Sequence, residues 1–240
     1  MTEQYKNFPE FYVTAAQPCP YLEGRLERKL FTHLTHDKPP RFVDNLLTNG
    51  FRRSQNVAYV PYCQGCQACV SVRVLTAEFE PERSFRRTIA RNTDLTARRV
   101  AARATREHHT LFRRYIDARH GDGGMADMTA LDFTMMVEDS LVTTFLTEYR
   151  QKQAHAAPLV GVALCDRLSD GISMVYSFFD CNPPERSLGT YMILDHIAYA
   201  RRLDLPYLYL GYWIDGSRKM SYKARFRPQE QLGPQGWVRR

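Results

Sequence analysis

Three cysteines at even spacing, in the run Cys63-Gln-Gly-Cys66-Gln-Ala-Cys69, are the densest group of soft ligands in this chain of 240 residues. Cys19, framed by Pro18 and Pro20, is a fourth thiol that folding could bring to them. Four thiolates suit zinc or an iron–sulfur cluster. Reduced structural or redox-sensitive thiols fit the same spacing, and no second close pair decides between the two. Cys165 and Cys181 lie in or beside strand-like runs and read as core residues. The histidines form no metal signature, and the His108-His109 pair reads as a solvated helical face. No Gly-x-x-x-x-Gly-Lys-Ser/Thr loop and no Gly-x-Ser-x-Gly elbow occurs, which argues against P-loop nucleotidase and serine hydrolase chemistry.

The second chemical feature is charge. The formal net charge is +7. Pro81–Arg119 holds 11 arginines against 4 acids, so this one segment accounts for the whole excess. Arginine presents a planar fork of donors that matches phosphate. Arg83, Arg86, Arg87 and Arg91 lead the stripe, and the phosphate backbone of a nucleic acid is the partner it would suit. Codon bias toward arginine on a solvated face explains the same composition. Aromatic residues are sparse there, so phosphate contact is favoured over base stacking.

Several elements must position these groups. Arg41–Asn49 reads as a short helix closed by Gly50, and Gly24–Leu34 as another, with Leu26, Leu30 and Leu34 at spacing four. Val57–Pro61, Val70–Thr76 and Leu95–Ala101 read as strands; Pro81–Asn92 and Thr105–Arg119 read as helices. His120–Gly124 is a loop, and Thr129–Asp132 has the form of a capping box before a helix through Ser140. Thr143–Arg150, Leu159–Asp166 and Ile172–Asp180 follow as strands, the last two joined through Asp170-Gly171, a hairpin signal. A helix over Leu188–Leu203 then leads to a strand over Pro206–Ile214, and the tail from Asp215 reads as basic turns. This order predicts an α+β fold: a mixed sheet whose last two strands are parallel, with a ligand site at Phe179–Gly189 beside the helix start. The division expected is a smaller cysteine-containing domain over 1–92 and a catalytic domain over 93–240. The apolar content is 44%, and no window is long and apolar enough for a membrane span or a signal peptide, so a cytoplasmic location and no membrane partner are expected.

The strand–loop–helix–strand setting with Arg186-Ser187-Leu188-Gly189-Thr190 resembles the acyl-CoA site of the GNAT acyltransferases. The chain as a whole resembles the aminoacyl-tRNA–protein transferases of the N-end rule pathway. The resemblance is carried by Cys19–Leu22, Gly50–Ser54, Tyr59–Pro61 with the cysteine run and Val72–Val74, Ser187–Tyr191, and Leu210–Ile214 through Lys219, Met220, Tyr222 and Lys223. It implies a GNAT-like catalytic half and transfer of an amino acid from a charged tRNA to an acceptor's α-amine. In the bacterial branch it implies leucine from Leu-tRNA, acceptors beginning with Asp or Glu, and a role in protein degradation. Arginyl transfer, acetyl-CoA-dependent acetylation, and a non-enzymatic RNA-binding or redox-sensing role are the alternatives.

Aminolysis of an ester needs positioning, an oxyanion donor and proton traffic. It requires no cofactor, and a cluster or zinc at Cys19, Cys63, Cys66 and Cys69 would serve another purpose. Asp180 is the candidate for ordering the amine, with Tyr176, Tyr191 and Tyr212 as relays to the leaving ribose oxygen. Backbone N–H groups around Ser187, Leu188 and Gly189 are candidate donors. Lys219, Lys223 and Arg225 are candidates for the acceptor's acidic side chain, with Arg52 and Arg53 as rivals.

Overall fold

The computed structural model describes residues 9–36, 38, 40–119, 121, 125–152 and 157–240. The expected loop at His120–Gly124, the centre of the turn at Gln151–Pro158 and the beginning of the N-terminal arm fall largely outside them. Two compact units result: Met1–Arg73 with Leu210–Arg240, and Val74–Tyr209.

In chain order the first unit contributes β1 (Tyr12–Val13), β2 (Gln17–Pro18), β3 (Leu26–Glu27), β4 (Lys29–His33), α1 (Pro40–Thr48), β5 (Arg52–Ser54), β6 (Val57–Pro61) and the start of β7 (Cys69–Leu75). β1, β4, β6 and β5 lie side by side in one antiparallel sheet. α1 buries Val43, Leu46 and Leu47, spaced along one helical stripe, with Leu34 and Ala58 also in the core. It ends as a left-handed cap: the Gly50 N–H donates to Leu47 O (3.2 Å) and the Phe51 N–H to Leu46 O (3.0 Å). Gly50 has φ +91°, and a Cβ there would lie 2.5 Å from Leu232 Cδ2.

The second unit contains α2 (Arg83–Ala90), β8 (Leu95–Ala101), α3 (Arg106–Arg119), α4 (Ala130–Glu138), β9 (Thr144–Gln151), β10 (Leu159–Arg167), β11 (Gly171–Phe179), α5 (Leu188–Arg202) and the start of β12 (Tyr207–Ile214). β8 to β11 form an antiparallel meander, and β12 lies parallel to β11 after the α5 crossover. This is the α+β order expected. Gly171 is required at the parallel junction, because a Cβ would lie 2.5 Å from Tyr207 O. Alternation along the strands divides two packing layers. Leu146, Val162, Leu164 and Phe178 join Leu111, Phe112 and Ile116 of α3 and Phe133 and Val137 of α4. Gly161 instead faces Met192 of α5, at 3.4 Å from its Sδ. The Thr129 capping box of α4 is present in both directions.

Three expectations fail. Gly24–Leu34 is not a helix but β3 and β4, because a spacing of four is also a multiple of the strand period of two. The basic tail is not only turns: β13 (Gln229–Gly233) pairs with β14 (Gly236–Arg239) as a hairpin in the first unit. The division at 92/93 is replaced by crossings at Arg73/Val74 and Tyr209/Leu210, inside β7 and β12. The tail belongs with the N-terminal segment through the Arg73–Glu230 ion pair (2.7 Å) and the Trp237 indole N–H donating to Thr48 O (3.0 Å). α2 belongs with the second unit because it packs on α5. Among the described residues no helix is long and apolar enough to cross a membrane.

Candidate functional site

In the second unit the loop from β11 to α5 is built by local hydrogen bonds. The Asp180 N–H donates to Val160 O (2.8 Å), and its Oδ1 accepts from the Asn182 N–H (3.0 Å), an Asx turn. Ser187 adopts a left-handed conformation (φ +51°) immediately before α5. The first bond of the helix is Tyr191 N–H to Ser187 O (3.0 Å), so the backbone N–H groups of Leu188, Gly189 and Thr190 precede the helical ladder. They carry the positive end of the helix dipole. A Cβ on Gly189 would lie 3.0 Å from the Phe179 ring. The glycine therefore lets α5 close onto the end of β11. The Leu188 side chain is buried, which leaves only its backbone for a substrate.

The residues just after α2 clamp this loop. Asn92 is wholly buried and its Nδ2 donates to Arg186 O (2.9 Å) and Thr88 O (2.8 Å). Arg91 Nη1 donates to Glu185 O (3.0 Å), and the Arg186 guanidinium pairs with the Asp94 carboxylate. Arg91 thus holds the loop through Nη1 while its side chain stays exposed on the same surface. Arg83, Arg86 and Arg87 remain exposed on the face of α2 opposite buried Phe85 and Thr88. Asn92 and Asp94 escaped the sequence reading because they belong to no motif; the one signal was their position directly after an arginine-rich helix.

The candidate tyrosines are dispersed. Tyr176 packs with Phe112 and Phe178 in the α3 layer, and burial raises its phenol. Tyr191 lies on α5, edge-on to Tyr149 (5.9 Å between ring centroids); burial and then Asp195 raise its phenol. The third, Tyr212, is in the first unit. Its hydroxyl donates to Gly50 O (2.9 Å), with Tyr59 O at 3.3 Å, and burial raises its phenol strongly. That single proton is held by backbone carbonyls, so the geometry assigns Tyr212 to fixing β12 against the end of α1 rather than to proton relay.

Sequence reasoning missed a buried polar network under α5. Tyr149 OH donates to Asp195 Oδ2 (2.7 Å), and Arg99 Nη2 pairs with the same oxygen (2.5 Å). The Arg99 guanidinium also stacks on Tyr199, 4.2 Å from the ring centre. His196 Nδ1–H donates to Met192 O (2.7 Å), which leaves Nε2 to accept from Thr147 Oγ1 (3.0 Å) beside Cys165 Sγ (3.3 Å). Burial pushes the His196 imidazole down to about 4, so it is neutral in the folded chain. The unfolded chain, with His near 6.5, binds more protons between these values, so stability falls as pH drops through that window. Urea unfolding should show about 2 kcal/mol lost through this residue between about pH 7.5 and about pH 5. His196→Gln should flatten that slope; equal slopes in the two proteins would remove the assignment. His108 is likewise buried rather than solvated, with Nε2 2.9 Å from Glu148 Oε1. Cys181 is part-exposed, unlike Cys165.

In the first unit the basic run Lys219–Arg227 separates. Lys219 and Arg225 are exposed, whereas Lys223 is buried with Nζ donating to Tyr212 O (2.7 Å). Arg52 lies against the backbone of Gly211: a Cβ there would be 3.0 Å from its Nε, and Gly211 has φ +77°. Arg53 is buried and its Nη1 donates to Gln55 O (3.2 Å). Of the candidate cations, Arg52 and Lys223 are therefore the two brought together.

Cys63, Cys66 and Cys69 line a cleft of about 410 Å³ with Val70, Leu232 and Val238. Burial, and then the neighbouring Cys63 and Cys19, push the Cys69 thiol up to about 12. The backbone at Ala68 lowers Cys66. By donor type these thiols suit zinc or an iron–sulfur cluster. By geometry, among the described residues no three His, Cys, Asp or Glu side chains form a group that could hold a metal ion. The Cys19, Cys63 and Cys66 thiols all act on Cys69, so the four lie in one neighbourhood.

Two sequence families match this chain: "Arginine-tRNA-protein transferase, N terminus" over residues 17–87 and "Arginine-tRNA-protein transferase, C terminus" over residues 107–233. Curated proteins called "Aspartate/glutamate leucyltransferase" are similar over nearly their whole length. The Nitrobacter hamburgensis protein is 57% identical, covering 100% of this chain and 95% of its own. The Afipia carboxidovorans protein is 58% identical (100% and 96%), and that of Parvibaculum lavamentivorans 58% (99% and 98%). Among solved structures, FemX is similar with a TM-score of 0.46 and 12% identity, over 80% of this chain and 65% of that one.

Proposed function

Because the chain belongs to the arginine-tRNA-protein transferase family, we propose that it moves leucine from Leu-tRNA to the α-amine of proteins beginning with Asp or Glu. The observation that carries leucine rather than arginine is the 57–58% identity, over nearly the full length of both chains, with proteins called aspartate/glutamate leucyltransferase. The work is that of a cytoplasmic enzyme, since charged tRNA is its donor. The exposed arginines of α2 are the surface assigned to the tRNA backbone.

The reaction is aminolysis of the ester between leucine and the terminal ribose. The acceptor's α-amine, freed of its ammonium proton, attacks the ester carbonyl. The C–O bond to the ribose breaks, an amide forms, and the ribose oxygen leaves with a proton. An α-amine has an ordinary pKa near about 8, so near neutral pH most of it must lose a proton first. The free oxygen of the Asp180 carboxylate is the group assigned to order that amine, its other oxygen holding the loop. The backbone N–H groups of Leu188 and Gly189 are assigned to the developing oxyanion, where one such donor is worth roughly 10²–10³ in rate. Ser187 positions them by its left-handed turn. Tyr176 and Tyr191 are the candidates for returning a proton to the ribose oxygen. No step calls on a metal or cofactor, and the four thiols have no part in it.

The test supplies labelled Leu-tRNA and Arg-tRNA to peptides beginning with Asp, Glu or Lys. Leucine alone should appear, on the Asp and Glu peptides alone. Transfer of neither amino acid would end this reading, and transfer of arginine would correct the donor.

A further inference from the structure

We propose that the groove between the C-terminal half of α5 and the strands β8 and β9 holds an unpaired nucleotide of the donor tRNA's 3′-terminal strand. The inference rests on the leucyl-transfer reading and deepens it, because it names a second place at which the donor is held.

The geometry belongs wholly to the second unit. β8 is an edge strand of its sheet. Strand pairing sets Arg99 beside Thr147, Ala101 beside Phe145, and Phe145 beside Cys165. Thr147 and Cys165 both meet His196 of α5, so Arg99, Ala101 and Phe145 stand on the sheet face that α5 covers. Toward the end of α5 the helix and the sheet leave an open groove of about 410 Å³, whose lining includes Arg99, Val100, Phe145, Arg167, Tyr199 and Leu203. Phe145 and Tyr199 meet edge to face, with 6.2 Å between ring centroids. The Arg202 guanidinium lies 5.7 Å from the Tyr199 ring centre. Arg167, part-exposed at the end of β10, forms no ion pair with another described residue.

Two arginines and no acid line this groove. Exposed Arg98 and Arg103 continue the positive charge along β8 and past its end. Aromatic rings beside guanidinium planes are the means by which proteins hold an unpaired base: the base stacks on them, and its edge accepts hydrogen bonds. Arg99 is already committed to Asp195 and stacked on Tyr199, so it serves as a wall. Arg167 is the residue with donors to offer the incoming nucleotide. An acidic peptide would use the charge of this groove and leave its rings idle. Position agrees with the assignment. α5 leads from the Leu188 and Gly189 donors to Tyr199 and Leu203. At about 1.5 Å per helical residue, the groove lies about 17–22 Å from the place where the ester is broken. A stacked strand rising about 3.4 Å per nucleotide covers that distance in about five to six nucleotides, and an extended strand in fewer. The strand whose terminal ribose carries the leucine therefore reaches the groove along one helix.

The test measures binding of uncharged tRNA, either intact or trimmed of its unpaired 3′ nucleotides, by wild type, Tyr199→Ala and Arg167→Gln. Each variant should weaken binding of intact tRNA by about 5- to 100-fold, the size of one base contact, and leave binding of trimmed tRNA within about twofold. Tyr199→Phe keeps the ring and should bind intact tRNA as wild type does. The double change Arg86→Gln with Arg87→Gln, on α2, should instead weaken both RNAs alike. Equal losses on intact and trimmed tRNA by the groove variants overturn the proposal and place the body of the tRNA there. No loss on either RNA also overturns it. Unchanged tRNA binding with a raised KM for the acceptor peptide overturns it and gives the groove to the acceptor. Where Tyr199→Ala does not fold, Arg167→Gln decides by the same comparison. A wild-type protein that binds neither RNA overturns the leucyl-transfer reading itself, a result distinct from every variant outcome.

Discussion

Replacing Asp195 with alanine should lower the unfolding free energy by about 3 kcal/mol, the scale for breaking a buried ion pair by removing one partner. The carboxylate accepts from both Arg99 and Tyr149 through one oxygen, Oδ2. Without it the Arg99 guanidinium is left largely buried with only the Ala97 carbonyl (3.5 Å) and the Tyr199 ring beside it. The Tyr149 hydroxyl, wholly buried, retains only the contact with His196 Nδ1 (3.2 Å), which already donates to Met192 O. Pairing Asp195→Leu with Arg99→Met should recover part of the loss, because no charge is then stranded. Urea unfolding of the two single variants and the double variant measures both effects. A loss below about 1 kcal/mol for the single change would mean that water reaches Arg99 and the network is not a buried one. Because α5 carries the Leu188 and Gly189 donors at its start, the same variant should also lower transfer.

The second large effect is on salt. The exposed Arg83, Arg86 and Arg87, joined by Arg98 on β8, offer four phosphate contacts. Four neutralised phosphates give a slope near about −3.6 in log affinity against log salt. Raising salt from about 50 to about 200 mM should then weaken tRNA binding by about a hundredfold. Replacing both Arg86 and Arg87 with glutamine should flatten the slope by about two without changing which peptides accept leucine. Binding that ignores salt would return these arginines to a solvated face with no partner. Arg91→Gln should lower transfer, because its guanidinium holds the Glu185 carbonyl.

The elements with local signals were legible in the sequence. The Asp170-Gly171 hairpin, the Thr129 capping box, the Gly50 helix end and the helix before the last long strand each announce themselves within a few residues. Gly24–Leu34 misled because every fourth residue lies on one side of a strand as well as one side of a helix. The site was legible where it is backbone: Ser187, Leu188 and Gly189 do stand at a helix start. It was illegible where it depends on contacts distant in sequence. Nothing near Asn92 says that it will hold Arg186 O, 94 residues away. Nothing in Lys219, Lys223 and Arg225 says which one turns inward, because a single short turn makes that choice. Tyr212 looked like a reactive phenol by its place late in a strand, and only the Gly50 carbonyl reveals it as a strut.

The two crossings inside β7 and β12 set an order on synthesis. All of Val74–Tyr209 precedes Leu210–Arg240 on the ribosome, so the second unit can fold while the first still lacks a part. Lys223, Gly211 and the β13–β14 hairpin all arrive in that late segment. A nascent chain at this stage already displays the arginines of α2 but lacks Lys223. Protection of β4–β6 against proteolysis should therefore appear only after the tail has emerged, and a stalled chain would display the arginines of α2 before Lys223 is in place.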